Sequence, residues 1–170
     1  KKTGKYPYVC TLPGHAQVMR GTMIVSKEMN PLSELTFTSF KGSWKKIPDW
    51  NKIEPTGTDH VPSGKFDLSC SKENDNFGLV FRGNIEAPKS GEYIFTLSSD
   101  DGSRLLIDRK VVVDLDGIHG VTSKSGKVKL EKGLHHIEVQ YFEASGGEEL
   151  YVGWRLPGSK KETALSVNKG

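Results

Sequence analysis

Apolar and polar residues alternate along much of this chain, and the clearest alternating stretch runs from Gly91 to Asp116. A period of two residues is typical of antiparallel strands that are buried on one face only. The residues predicted to face inward here are Tyr93, Phe95, Leu97, Leu105, Ile107, Val111 and Val113. A polar turn over residues 99–103 separates the two runs, and its composition predicts that it is exposed. We therefore expect the functional site at this turn.

Shorter alternating segments on both sides of this stretch predict further strands. They cover residues 35–40, 76–85, 127–130, 135–142 and 150–154, with Phe77, Leu79, Phe81, Ile137, Val139 and Tyr141 facing inward. No segment has convincing apolar periodicity of a helix, and strands do not alternate with helical segments. Short strands separated by turn signals predict an all-β fold, an antiparallel β-sandwich.

Composition divides the chain into four parts. Residues 1–25 form a partly apolar fragment, 26–34 a polar linker with Pro31, 35–157 the sandwich, and 158–170 a polar tail. The chain is expected to fray after Arg155, where its residues become polar. Because an apolar segment begins almost at the first residue, we interpret the chain as a piece of a longer protein.

The charge pattern gives no indication of a nucleic-acid or membrane partner. The net charge is +3 over 170 residues, and no dense basic block or aromatic-basic stripe is present. No apolar run is long enough to cross a bilayer, and no signal peptide is visible. The two cysteines, Cys10 and Cys70, are compatible with a disulfide, with free thiols or with metal binding.

Two tryptophans, Trp44 and Trp50, lie in the loop that follows the first predicted strand of the sandwich. Aromatic side chains in such a loop either form a ligand platform or pack as a plug at the end of the sandwich. We expect the plug, because burial of a large aromatic surface is the more common arrangement.

Near the start of the chain, Cys10, His15 and Met19 place a thiolate, an imidazole and a thioether at short intervals. Blue-copper electron-transfer sites use this ligand set. The spacing, with Pro-Gly just before His15, resembles the C-terminal ligand loop of the azurin-like cupredoxins, and Gly21–Val25 resembles that family's last strand. The family's other histidine ligand lies upstream and has no counterpart here. The resemblance therefore implies copper only in an intact parent domain, with the remnant in this chain empty.

A second resemblance covers residues 35–157. The motifs that carry it are Gly42-Ser43-Trp44, Asp75-Asn76-Phe77, Gly91-Glu92-Tyr93 and Ser99–Asp108, followed by Asp114, Gly117, His119, Gly133, His135, Tyr141 and Trp154. Their identity and order resemble the PA-fourteen family, jelly-roll-like β-sandwich domains first described as an insert of anthrax protective antigen. The resemblance implies the same fold for this chain.

The family occurs in secreted and cell-surface proteins, and several members bind carbohydrate. The resemblance thus implies a non-catalytic, calcium-assisted carbohydrate-binding module of a larger bacterial protein. It also implies an extracellular, periplasmic or cell-surface location, a glycan partner and neighbouring domains in a longer chain. The alternative is a structural or protein-interaction sandwich without a ligand, in a parent that also carries a copper domain.

In lectin members, two adjacent aspartates joined by a cis peptide hold a calcium ion that also contacts the sugar hydroxyls. Asp100 and Asp101 match them, and a second calcium loop corresponds to residues 143–149. This chain has Glu143 where lectin members usually place Asn or Asp. The implied calcium ligands are Asp100, Asp101 and Glu143, and the implied sugar contacts are Asp100, Asp101, Gly102, Asp116 and His119.

The residues themselves leave simpler interpretations open. Asp100-Asp101-Gly102 is also a good hairpin turn, in which Asp101 would bond local backbone amides. Asp116 and His119 would then only shape their own loop. Catalysis is not expected, because adjacent carboxylates rarely face each other across a scissile bond, and no nucleophile motif is present.

Overall fold

The structure is a computed structural model that describes residues 4–9 and 20–25 as backbone strands and residues 30–167 in full. Strand β1 (Gly4–Val9) and strand β2 (Arg20–Val25) pair as an antiparallel ribbon. The strand predicted over Gly21–Val25 is thereby confirmed. Cys10, His15 and Met19 lie outside the described residues, so the copper-loop resemblance stays a prediction. Cys70 is a free thiol.

The rest of the chain is a sandwich of two antiparallel sheets. Its strands are β3 (Leu32–Lys41), β4 (Gly57–His60), β5 (Phe77–Ala87), β6 (Gly91–Asp100), β7 (Ser103–Ile107), β8 (Lys110–Leu115), β9 (Thr122–Leu130), β10 (Gly133–Glu143), β11 (Glu149–Arg155) and β12 (Glu162–Ala164). One sheet has the order β4-β3-β5-β10-β7-β8 and the other β12-β11-β6-β9. The predicted all-β antiparallel sandwich is confirmed. The helical elements in residues 30–167 are two short 3₁₀ turns, Trp50–Lys52 and Leu68–Cys70, neither able to span a bilayer.

The core lies between the sheets and consists largely of the residues that the alternation predicted. Those at most 1% exposed include Tyr93, Phe95, Leu97, Leu105, Ile107, Phe77, Leu79, Phe81, Ile137, Val139 and Tyr141. Strand β10 is central, because Val139 lies opposite Phe81 on one side and Leu105 on the other. Burial of these side chains provides the main driving force for the fold.

The alternation fails at Val111, which is 53% exposed, whereas Val113 is 1% exposed as predicted. The chain reverses at Asp108 and Arg109, whose φ angles of 48° and 66° form a two-residue turn between β7 and β8. Both central residues of a type I′ turn have positive φ. A register irregularity between Leu105 and Leu106 then shifts which residues of β8 face inward.

The two runs of the predicted central stretch do not form a hairpin. Strand β6 belongs to the four-stranded sheet and β7 to the six-stranded sheet, so the turn between them is a corner that joins the layers. The prediction that this turn is exposed is wrong, since Ser99 and Ser103 are 0% exposed and Asp101 is 2% exposed. Composition indicated exposure, but the crossing between layers places the turn beneath neighbouring loops.

A second apolar cluster covers part of the outer face of the six-stranded sheet. It consists of Phe40, Trp50, Val80 and Phe142, with Trp44 packed against it. The ring centroids of Trp50 lie 4.8 Å from those of Phe40 and 5.2 Å from those of Trp44. Trp50 is 5% exposed, so it is packed rather than presented as a platform, although on the sheet's outer face and not at the sandwich end.

Both ends of the sandwich extend beyond their predicted limits. Strand β3 begins at Leu32, inside the predicted linker, and is irregular near Glu34, which has a φ of 53°. After Arg155 the chain does not fray as predicted. Strand β12 pairs with β11, and Leu165 is 0% exposed in the core. The short run Ala164-Leu165-Ser166-Val167 in an otherwise polar segment was too weak a sequence signal for this docking.

His135 links the start of β10 to the β7–β8 turn. Its Nδ1 lies 2.7 Å from Asp108 Oδ2 and its Nε2 lies 2.8 Å from the Glu131 carbonyl oxygen. An unprotonated carboxylate and a carbonyl only accept hydrogen bonds, so both contacts require the doubly protonated imidazole. Burial lowers the pKa of His135, but the hydrogen bonds to Glu131 and Asp108 outweigh it and raise the pKa above 6.5.

We expect Asp108→Asn to lower the pKa of His135 and to reduce stability at acidic pH more than at alkaline pH. The stability from a raised histidine pKa is fully present below the unfolded-state value and is lost as pH rises through the folded-state value. The effect should stay below about 1 kcal/mol because Asp108 is half exposed. Asn tolerates the left-handed backbone of the turn. An NMR titration of His135 checks this, and an unchanged pKa would contradict it.

Candidate functional site

The corner between β6 and β7 brings together three carboxylates, Asp100, Asp101 and Glu143, which we name the acidic corner. One oxygen of each lies within 4.8 Å of the others. The Asp100-Asp101 peptide is cis, as the family resemblance implied. Asp101 and Glu143 are buried, at 2% and 0% exposure, whereas Asp100 is partly exposed. The structure therefore brings the three predicted metal ligands together at one point.

Asp101 fixes the corner to two loops that are distant in sequence. Its Oδ1 accepts a hydrogen bond from the backbone N–H of His119 at 2.9 Å, and its Oδ2 accepts from that of Ala144 at 3.0 Å. The plain hairpin interpretation, in which Asp101 bonds local amides, is therefore wrong. The loops after β8 and β10 are both held against the corner by this carboxylate.

Glu143, the last residue of β10, has one oxygen engaged and one without a partner. Tyr141 Oη lies 2.8 Å from Glu143 Oε2 and also contacts the carbonyl oxygen of Asp100. Glu143 Oε1 is buried and has no hydrogen-bond partner among the described residues. Burial raises the pKa of Glu143, the bond from Tyr141 lowers it, and the charges of Asp101 and Asp100 raise it further, to about 7.

The positive charge that acts on this cluster comes from His119, since the charges of Asp101 and Asp100 help to raise its pKa. No ion pair formed by the described residues involves Asp100, Asp101 or Glu143. The carboxylate of Asp100 likewise accepts no hydrogen bond from the described part of the chain. Adjacent carboxylates repel unless protons, hydrogen-bond donors or a cation offset their charge. The orphaned oxygen of Glu143 and the all-oxygen donor set fit a hard cation such as Ca²⁺.

The predicted sugar contacts beyond the aspartates have structural partners of their own. Asp116 Oδ1 accepts from the Ile47 N–H at 2.6 Å, and both ring nitrogens of His119 lie 3.0 Å from carbonyl oxygens, those of Leu115 and Gly120. Burial lowers the pKa of His119, but these two hydrogen bonds raise it overall. Both side chains thus shape the loop, and a role in ligand contact stays a prediction.

Gly102 is buried and faces the protein interior. A Cβ atom at this position would lie 2.3 Å from Phe142 Cε1 and 2.9 Å from the carbonyl oxygen of Gly117. The structure therefore assigns Gly102 a packing role that lets the corner approach β10. It does not bring Gly102 to the surface, where a sugar contact was predicted.

Sequence reasoning missed three residues of the site. Tyr141 lies on the same face of β10 as Glu143, because residues two apart in a strand point the same way. The spacing of two residues in the sequence could therefore have indicated that Tyr141 lies beside Glu143 in the site. Ile118 and Val121 are 57% and 60% exposed on either side of His119. The sequence does not distinguish these two residues from buried ones, and only the structure shows that they are exposed.

The chain belongs to the PA14 domain family, whose family model matches residues 39–168. Protective antigen of Bacillus anthracis is 30% identical over 118 residues, which are 66% of this chain and 14% of that protein. The chain thus spans only a small part of its curated relative.

Solved structures with the same fold include two adhesin domains. The A domain of epithelial adhesin 9 from Candida glabrata, in complex with Galβ1-4GlcNAc, has a TM-score of 0.60 at 12% identity, covering 83% of this chain and 90% of that chain. The PA14 sugar-binding domain of an RTX adhesin has a TM-score of 0.57 at 17% identity, covering 76% of this chain and 93% of that chain. At these identities the likeness shows the fold alone.

Replacement of Glu143 by Gln should remove a pH dependence of stability from the metal-free protein. Because folding raises the pKa of this carboxyl from 4.5 to about 7, the unmodified protein should lose stability as pH rises across that interval. Glu143→Gln cannot ionise, so in chelator it should be the more stable protein at about pH 8. Urea unfolding at about pH 5 and pH 8 checks this, with exposed Glu54→Gln as the control. A variant less stable than the unmodified protein at the higher pH would contradict it.

Proposed function

We propose that this PA14 domain is a non-catalytic, calcium-assisted carbohydrate-binding module of a larger extracellular or periplasmic protein. The observation that carries the proposal is the acidic corner, in which three carboxylates meet without an ion pair to any described residue and one buried oxygen of Glu143 has no hydrogen-bond partner among them. A buried, unpaired carboxylate is costly unless a proton or a cation neutralises it. Asp100, Asp101 and Glu143 would hold the calcium ion.

Calcium, when bound, supplies positive charge and coordination positions that sugar hydroxyls can complete. The chain's own residues position these groups. Asp101 holds the loops after β8 and β10 against the corner through two backbone amides. Gly147 passes close to Asp100, since a Cβ atom there would lie 3.4 Å from Asp100 Oδ2. A glycine at this point leaves room for a ligand beside the partly exposed carboxylate.

The rim of the corner suits the two kinds of surface that a sugar ring presents. Asp100 offers hydrogen-bond acceptors to hydroxyl groups, while exposed Ile118 and Val121 offer apolar contact to the C–H face of the ring. Binding sites combine apolar contact with a few placed polar groups in this way. Supporting this proposal, a neighbour with the same fold was solved with Galβ1-4GlcNAc and another is a sugar-binding domain.

Binding without turnover fits the geometry better than catalysis does. Glycosidases place two carboxyl groups on either side of the scissile bond, at about 5–5.5 or 6.5–9.5 Å from each other. The oxygens of the acidic corner lie within 4.8 Å of one another, and two of the three side chains are buried. A glycosidic bond could not enter between Asp101 and Glu143. The same proposal covers the parent protein, which we expect to be extracellular or periplasmic and to carry the copper domain implied by residues 6–25.

Calcium should raise the melting temperature of the chelator-stripped protein. A ligand that binds only the native state at about 100 times its Kd adds about 2.7 kcal/mol, which corresponds to a rise on the order of 5–10 °C for a domain of this size. Asp100→Asn should abolish the rise without unfolding the protein, because the Asp100 carboxylate accepts no hydrogen bond from the described residues. Exposed Asp59→Asn is the matched control. No rise in the unmodified protein would favour a ligand-free scaffold.

The apolar rim should matter for glycan binding but not for calcium. We expect the double change Ile118→Ser and Val121→Ser to weaken binding to an immobilised glycan array by about thirtyfold, since each buried apolar side chain contributes roughly 1 kcal/mol. The calcium-dependent rise in melting temperature should be unchanged. Exposed Leu134→Ser is the control. Glycan binding that persists in the double variant, or in excess chelator, would contradict the proposed mode.

A further inference from the structure

A cavity lies on the outer face of the six-stranded sheet, and its lining includes none of the residues of the acidic corner. Its volume is about 450 Å³, within the range of small-ligand sites. The floor consists of side chains from β5, β10 and β7, and the segment Pro48–Asn51 forms one wall. We name this cavity the arginine groove, because Arg82, Arg104 and Arg109 line it.

The floor is built by cross-strand pairs that point away from the core. Ile137, Val139 and Tyr141 face inward, so His136, Glu138 and Gln140 between them face outward. In register, Arg82 lies opposite Glu138, and Gln140 lies opposite Arg104. Side chains directly opposite one another on neighbouring strands are in contact range. The groove therefore has a rigid polar floor across three adjacent strands.

The two carboxylates that line the groove are already engaged. Glu138 Oε2 accepts from Arg82 Nε at 2.8 Å and Oε1 accepts from Gln140 Nε2 at 2.6 Å. Asp49 accepts from the backbone and side chain of Asn51, and its other oxygen lies 3.2 Å from Lys52 Nζ. These carboxylates have little capacity left to accept from a ligand.

Several nitrogens of the same groove have no partner. Trp50 Nε1, Arg104 Nε and His136 Nδ1 are buried without a hydrogen bond from any described residue. Trp50 is 5% exposed, and its indole N–H can only donate. A buried donor without an acceptor is costly. Because the Trp50 and Arg104 nitrogens can only donate, the groove offers unpaired donors to a ligand rich in acceptors.

One of the three guanidinium groups that line the groove has no carboxylate partner among the described residues. Arg82 pairs with Glu138, and Arg104 Nη2 lies 3.1 Å from Asp114 and 3.7 Å from Asp116. Arg109 is exposed at the end of the groove and forms no hydrogen bond or ion pair within the described part of the chain. One uncompensated guanidinium matches one carboxylate, which it can bind through two parallel hydrogen bonds.

We propose that the arginine groove binds a carboxylate-bearing saccharide, such as a uronic acid residue, at a site separate from the acidic corner. The carboxylate faces Arg109, and the ring and hydroxyl oxygens lie among the unpartnered donors. A polyphosphate would bring more negative charge than the groove leaves uncompensated. The neutral sugars of the proposed calcium site lack the group that Arg109 selects.

The test is a ¹⁵N NMR titration of the full chain with glucuronate and, separately, with glucose, after calcium is stripped with chelator and the chelator is removed. The two sugars differ only in a carboxylate against a hydroxymethyl group. We expect glucuronate to shift the indole N–H signal of Trp50, assigned with Trp50→Phe, and glucose to leave it in place. Equal shifts from both sugars, equal binding of acetate, or no shift of that signal would overturn the proposal. Because chelator removes calcium, failure here is independent of the acidic corner.

A matched pair of variants completes the experiment. Arg109→Asn should weaken glucuronate binding at least about tenfold, because it removes the charge-assisted pair while Asn tolerates the positive φ of this turn position. Lys110→Asn removes a neighbouring exposed charge that does not line the groove and should leave the affinity unchanged. Equal loss in both variants would indicate non-specific charge attraction and overturn the assignment.

Discussion

The carboxylate of Asp101 is the contact on which the site depends, since it accepts from the backbone of two loops at the point where the chain changes sheets. No strand ladder can position this corner, because β6 and β7 belong to different layers. Loss of the carboxylate would leave two backbone amides without their acceptor, which is costly when they are shielded from water. A ligand held by Asp100 of one sheet and Glu143 of the other would couple its binding to the stability of the domain.

The surroundings of Glu143 are compatible both with a ligand-free scaffold and with the proposed calcium-binding module. Tyr141 Oη contacts Glu143 and the carbonyl oxygen of Asp100. The Tyr141 hydroxyl has only one hydrogen, which it can donate to the carbonyl oxygen of Asp100. A protonated Glu143 can then donate its own hydrogen to Tyr141 Oη, so that both contacts are hydrogen bonds. A cation would remove the same charge without that proton. The two interpretations therefore differ in what neutralises the corner and not in how the chain folds.

The inner faces of the strands could be predicted from the sequence because a period of two is a local property. It placed Phe81, Phe95 and Val139 correctly. The pattern failed at Val111 because the turn at Asp108 and Arg109 contains no Gly or Asn, the residues that most often mark a left-handed turn. The family resemblance predicted that the three carboxylates of the corner lie together. The arginine groove could not be predicted, because it depends on pairing between distant strands, for which the sequence contains no local signal.

The two candidate sites are connected through Phe142. It packs beneath Gly102, where a Cβ atom would collide with its ring, and it also belongs to the apolar cluster of Phe40 and Trp50. That cluster holds Pro48–Asn51 against the sheet and so forms the wall of the arginine groove. A sandwich needs only its inner faces to be apolar. The apolar cluster on the outer face therefore positions both sites. It fixes the wall of the arginine groove on the outer side of β10, and it supports the acidic corner at the C-terminal end of that strand.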